Sequence, residues 1–193
     1  MYGVYHGPHG LRYIAGKIHD QARLIEAGLL HLGYKQLNKV YFDTLLVEAD
    51  AKKLMDIAVK HEVNLRYVDD KHVALSMDEA TDRFDIKKLL DVFAEGKAKA
   101  MSEDVVGNIK DTRREVITGK AKRTSDFLTH PVFSMHHSET EMLRYITHLE
   151  NKDLSLNFSM IPLGSCTMKL NATSEMAPLS WNNWGNIHPF VPV

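Results

Sequence analysis

Between Met160 and Asn171 the chain reads Met-Ile-Pro-Leu-Gly-Ser-Cys-Thr-Met-Lys-Leu-Asn. Small, hydroxyl, thiol and cationic groups are gathered there with neither a helical nor a strand period. That composition belongs to a loop held for ligand contact or chemistry rather than to packing. Its candidate residues are Ser165, Cys166, Thr167, Lys169 and Asn171. Cys166 could be a thiol beside a ligand pocket, or a small residue fitted to a tight loop. No histidine or other base stands at a spacing that marks it as a nucleophile. Lys169 could contact a phosphate or a carboxylate, or be a solvated ammonium. Nothing near it argues for the burial that a Schiff-base lysine needs.

The chain has 11 histidines, enough for chance pairs. His136 and His137 are adjacent, so they cannot share one helical face. His6 and His9 have a loose H-x-x-H spacing broken by Gly7-Pro8. No metal is expected at either pair. His130 and His188 each precede a proline, which imposes extended backbone and leaves the imidazole for a hydrogen bond. No G-x-G-x-x-G, no Walker-type loop and no H-E-x-x-H occurs. No lysine directly follows a histidine.

The elements that would position the loop come next. The 193 residues are 44% hydrophobic and 25% charged with a net charge of −1. That is a globular composition with no field for nucleic acid or an anionic membrane. One cysteine makes no internal disulfide and fits a reducing compartment. No apolar run spans a bilayer, and Met1–Gly10 lacks the charged and apolar regions of a signal peptide. A cytoplasmic or organellar-matrix location, mitochondrial in a eukaryote, is the expectation.

After Pro8, apolar residues from Leu11 through Ile18, Ala22, Ile25 and Leu29 to Leu32 recur at three- and four-residue spacing. They predict one helix of about six or seven turns closed by Gly33. Val40–Glu48 reads as a strand. Asp50 caps a helix carrying Leu54, Ile57 and Ala58. Val63, Leu65 and Tyr67, a turn at Asp69-Asp70-Lys71, and Val73, Leu75 and Met77 predict a hairpin. Phe84, Ile86, Leu89, Leu90 and Phe93 predict a further helical face ended by Gly96. This order suggests an α/β layer on a small, mostly antiparallel sheet. Lys97–Arg123 holds eight Lys or Arg against four Asp or Glu and reads as a basic, partly helical linker. Ser138 and Glu141 then predict a capping box ahead of Met142, Tyr145, Ile146 and Leu149. Beyond that helix lie irregular sequence and the large aromatics Phe158, Trp181, Trp184 and Phe190, which need a surface to cover.

Long strings in this sequence resemble the glycine cleavage system P-protein family. They are His130-Pro131-Val132-Phe133, the run from His136 to Tyr145, Ile161 to Asn171, and Gly185 to Phe190. Met1 to Pro8, Tyr41 to Leu45 and Asn64 to Tyr67 extend the likeness over essentially the whole chain. The family enzyme is much longer and has two homologous halves of aminotransferase-like (fold type I) architecture. The resemblance therefore implies a fragment. Residues 1–96 would be the small α/β subdomain of the non-catalytic half, 97–123 the linker, and 124–193 the leading segment of the catalytic half.

The resemblance also implies the chemistry. The family decarboxylates glycine with pyridoxal phosphate as electron sink and passes an aminomethyl group to the lipoyl arm of the H-protein. Its cofactor is held on a lysine that follows a histidine, which this chain lacks. The fragment is therefore expected to be inactive alone and to bind no cofactor, with its loop at Ser165–Asn171 along the active-site wall. Its implied partners are the rest of the P-protein and the H-protein, with self-association expected of the fragment. A non-catalytic scaffold module of a multi-subunit complex is the rival reading.

Overall fold

The computed structural model describes residues 1–100, 115–155, 158, 160, 173–185 and 187. These fall into two compact units, Pro8–Thr129 and a second made of Met1–Gly7 with His130–Val193.

The first helix, α1 (Tyr2–Leu32), is broken at Gly7, whose φ of 61° and ψ of −176° are non-helical. Pro8 restarts the helix, where its fixed φ is already correct and its missing N–H would have had no partner. In the larger unit α1 buries Ala22, Ile25, Leu29 and Leu32, the face its periodicity predicts. It ends on Gly33, at φ 86°. The Gly33 N–H donates to Leu30 O and the Tyr34 N–H to Leu29 O, so two terminal carbonyls are satisfied by a Schellman turn.

The sheet has four strands in the order β1-β2-β4-β3, every neighbour antiparallel. They are β1 (Lys35–Gln36), β2 (Thr44–Glu48), β3 (Arg66–Asp69) and β4 (His72–Ser76). Leu45 pairs with Leu75 and Val47 with Val73. All four are buried, and their side chains form the inner face. On the outer face Thr44 Oγ1 and Ser76 Oγ meet at 2.8 Å and Lys35 pairs with Glu48 at 3.3 Å. One face is dry and the other wet, as alternation along an antiparallel sheet allows.

Helices α2 (Ala51–Lys60) and α3 (Arg83–Gly96) complete this unit. Asp50 caps α2 by accepting from the Lys53 N–H at 3.0 Å. Asp82 caps α3 in a reciprocal box with Asp85. Leu54, Ile57 and Ala58 of α2 and Leu89, Leu90 and Phe93 of α3 join the α1 face and the sheet in one core. Burying each of these leucine, isoleucine and phenylalanine side chains stabilises by about 1.5–3 kcal/mol before entropy is counted. Gly28 of α1 lets α3 close in: a Cβ there would lie 2.5 Å from Leu90 Cδ2.

Two expectations need correction. The strand expected from Val40 begins at Thr44. Tyr41 is instead buried with its phenol on Glu26 Oε2 at 2.8 Å, and the Phe42 carbonyl is taken by His19 Nδ1 at 2.7 Å. Phe84, expected on the buried face of α3, is 65% exposed and lies beneath the Arg83 guanidinium at 4.8 Å. It occupies the first turn, before the helix reaches the core.

In the other unit α4 (Glu139–Glu150) follows a short 3₁₀ turn at Pro131–Ser134. Short helices α5 (Thr173–Met176) and α6 (Asn182–Gly185) flank a 3₁₀ turn at Ala177–Ser180. The architecture is mixed α/β, with a small four-stranded antiparallel sheet.

Candidate functional site

Ser165, Cys166, Thr167, Lys169 and Asn171 lie outside the described residues, as do His188 and Phe190. What the structure describes is the segment that leads into them. His130 has the extended backbone that a following proline demands (φ −66°, ψ 138°), and its Nδ1 accepts from the Val132 N–H at 3.2 Å. Ser138 caps α4 by accepting from the Glu141 N–H at 3.3 Å, the serine half of the predicted box.

Two histidines are positioned between these points. The His136 ring stacks on Tyr145 at 4.2 Å and 13°. His137 Nδ1 lies 2.6 Å from the Tyr5 carbonyl oxygen. A carbonyl can only accept, so Nδ1 carries the proton there and a neutral ring keeps its lone pair on Nε2. Gly7 is the fitting that permits this. A Cβ on it would lie 2.5 Å from Phe133 O and 2.9 Å from His137 Cε1. The His6 ring centroid is 4.4 Å from that of Tyr2 and 5.2 Å from that of Tyr5. These groups can hold the unit's N-terminal helical segment against residues 130–137. Among the described residues no group of three His, Cys, Asp or Glu side chains could hold a metal.

In the larger unit the sequence reading missed a buried polar pair. Glu26 is 3% exposed on the apolar face of α1 and accepts from the Tyr41 phenol. A carboxylate between Ile25 and Leu29 was the available signal, because a charge on a core face must find a partner. Gln21 is also buried, its Nε2 donating to Thr81 O at 2.6 Å. These contacts tie α1 to the chain around it.

A lysine that holds pyridoxal phosphate must be sheltered enough to be neutral when it reacts. Among the described residues no lysine is buried. Lys17, Lys53 and Lys99 donate to the backbone carbonyls of Glu79, Gly96 and Leu32, while Lys87 pairs with Asp91 at 2.7 Å. Among the described residues, then, none offers the sheltered ammonium that such a bond requires. No described helix is long and apolar enough to cross a membrane.

Comparison with known proteins places this geometry in a lineage. Residues 1–93 match the family model described as glycine cleavage system P-protein. The glycine dehydrogenase (decarboxylating) of Christiangramia forsetii is 52% identical over the whole of this chain, and so is that of Flavobacterium johnsoniae. The Nostoc punctiforme protein of the same name is 48% identical. The chain spans only about 20% of the length of these relatives. Half of all positions are shared from one end of the chain to the other, and the family match takes in the helix, sheet and core just described. The chain belongs to the glycine cleavage system P-protein family.

Proposed function

We propose that the chain is a structural piece of a pyridoxal-phosphate-dependent glycine decarboxylase, contributing scaffold and an active-site loop but not the cofactor lysine. The single observation that carries this reading is identity near one half along the entire chain to proteins five times its length. In the proposal the whole enzyme decarboxylates glycine and hands an aminomethyl group to the lipoyl arm of an H-protein. The cofactor, bound elsewhere in that enzyme, supplies the electron sink. Ser165, Cys166, Thr167, Lys169 and Asn171 would line the site wall and orient substrate or cofactor.

The absence of a lysine after a histidine supports assigning the cofactor bond to another part of the polypeptide. That no described lysine is buried agrees with it. The proposed division remains residues 1–96, 97–123 and 124–193.

The test is the visible spectrum of the purified chain with added pyridoxal phosphate, before and after borohydride. The expected result is no stoichiometric lysine adduct and no glycine decarboxylation. A stoichiometric adduct on one lysine, Lys169 above all, would overturn the assignment.

A further inference from the structure

We infer that the apolar stripe of α4 docks into an apolar groove rimmed by lysine or arginine, in the part of the family's longer polypeptide that this chain does not span. The inference rests on the function proposed above and names the kind of partner it requires.

Helix α4 has no buried residue. Yet it is amphipathic: Met142, Tyr145, Ile146 and Leu149 fall at i, i+3, i+4 and i+7. Ile146 is 40% exposed and Leu149 36%, while Met142 and Tyr145 are half-buried, Tyr145 against the His136 ring. A helix of 12 residues is marginal in water on propensity alone and normally draws its stability from packing such a stripe. Leu179, Trp181 and Trp184 of the same unit are also exposed. An exposed apolar stripe on a folded helix marks an interface.

Charge decides between occupants. At about 100° per residue, Glu139 and Glu150 border the stripe on one side, and Glu141 with His148 on the other. Arg144, the only Lys or Arg in α4, points away from it. A second copy packed parallel would set Glu139 and Glu141 against their own equivalents. Packed antiparallel, it would set Glu139 of each copy beside the other copy's Glu150. Like charges facing across an interface disfavour self-pairing, whereas a basic rim complements it. About 80% of the relatives' length is available to provide that rim, since the chain spans 20% of it.

The test uses this chain alone and a chimera in which it replaces the matching stretch of the Flavobacterium johnsoniae protein. Amide exchange of residues 139–150 is followed in both. The expected result is fast exchange in the chain alone and slowing of about tenfold or more in the chimera. Ile146→Lys should restore fast exchange in the chimera and change nothing in the chain alone. Ile146→Val should keep the protection, separating loss of docking from loss of folding. Glu141→Lys should weaken it. Fast exchange in both proteins, or a chimera that does not fold, overturns the inference. So does a concentration-dependent dimer of the chain alone that Ile146→Lys dissolves, because the stripe then serves a second copy. Glycine decarboxylation by the chimera is read separately. Its absence with α4 protected defeats the proposed function and leaves the docking intact.

Discussion

Ala98 has φ of 53°, in the left-handed region that L-residues avoid. It stands at the end of α3, where the Ala98 N–H donates to Glu95 O and the Lys99 N–H to Ala94 O, the same turn that Gly33 makes after α1. Glu62, at φ 53°, makes it after α2, with Val63 N–H on Ala58 O. All three helices of the larger unit close alike, but only one closes on glycine. An L-residue there costs about 1–2 kcal/mol, and glycine returns some of that through unfolded-state entropy. Ala98→Gly should therefore stabilise by about 0.5–1 kcal/mol in a urea titration. A lower midpoint would mean that the alanine methyl has a packing role outweighing its strain. Gly96, two residues earlier, cannot follow the reverse path, since a Cβ there would lie 2.6 Å from Tyr34 Oη. Tyr34 itself is 6% exposed, its phenol donates to Phe93 O at 2.9 Å, and burial pushes its pKa up to about 12. The native state keeps that proton while the unfolded chain releases it near 10. Its contribution is thus whole below pH about 10 and is lost as the pH rises to about 12. Tyr34→Phe should flatten this alkaline decline in melting temperature and cost about 0.5–1.5 kcal/mol at neutral pH. An unchanged alkaline slope would assign the decline to other groups.

At the scale of elements, α3 depends on its first turn. Asp82 Oδ1 accepts from the Phe84 and Asp85 N–H groups at 2.7 and 3.0 Å, and Asp85 returns a bond to the Asp82 N–H at 2.9 Å. Asp82→Ala should cost about 0.5–2 kcal/mol in the urea midpoint. A neutral result would show that core packing alone fixes where α3 starts. How far the elements were legible follows from where their determinants lie. The hairpin at Val63–Met77, the α1 face and the caps at Asp50 and Ser138 are set by residues near in sequence, so pattern alone exposes them. The start of β2 is set by Glu26 and His19, 15 and 23 residues away from the groups they hold, and no local propensity encodes that. The two-residue β1 is too short to have a period. The Asp82 box was missed because its second member is Asp85 where Glu or Gln is the usual signal. The candidate loop at Ser165–Asn171 was legible only through composition and resemblance.

For the whole molecule, stability is unevenly shared. The core cluster runs from Ala22 to Val116 in sequence, and every member belongs to the larger unit. Among described residues of the other unit, Val4, Gly7 and Ser155 are buried, while Leu143, Leu154, Trp181 and Trp184 are exposed. Proteases act on backbone that opens cheaply, and opening is cheap where little apolar surface must be uncovered. The proposed linker at 97–123 offers trypsin eight basic residues in a stretch of low apolar content. Within it Val116, 4% exposed in the core, is an anchor that opposes cutting close by. Limited trypsin treatment should therefore cleave first between 97 and 123 and leave a resistant piece of residues 1–96, identified by intact mass. The resistant basic residues inside that piece serve as the control: Arg23 is held by Asp20 at 3.1 Å and Lys87 by Asp91 on a packed helix. Uniform resistance through 97–123 would defeat the proposed boundary and extend the protease-resistant domain through the linker. Early cleavage within α1 would place the weakest point of the fold in the helix rather than in the linker.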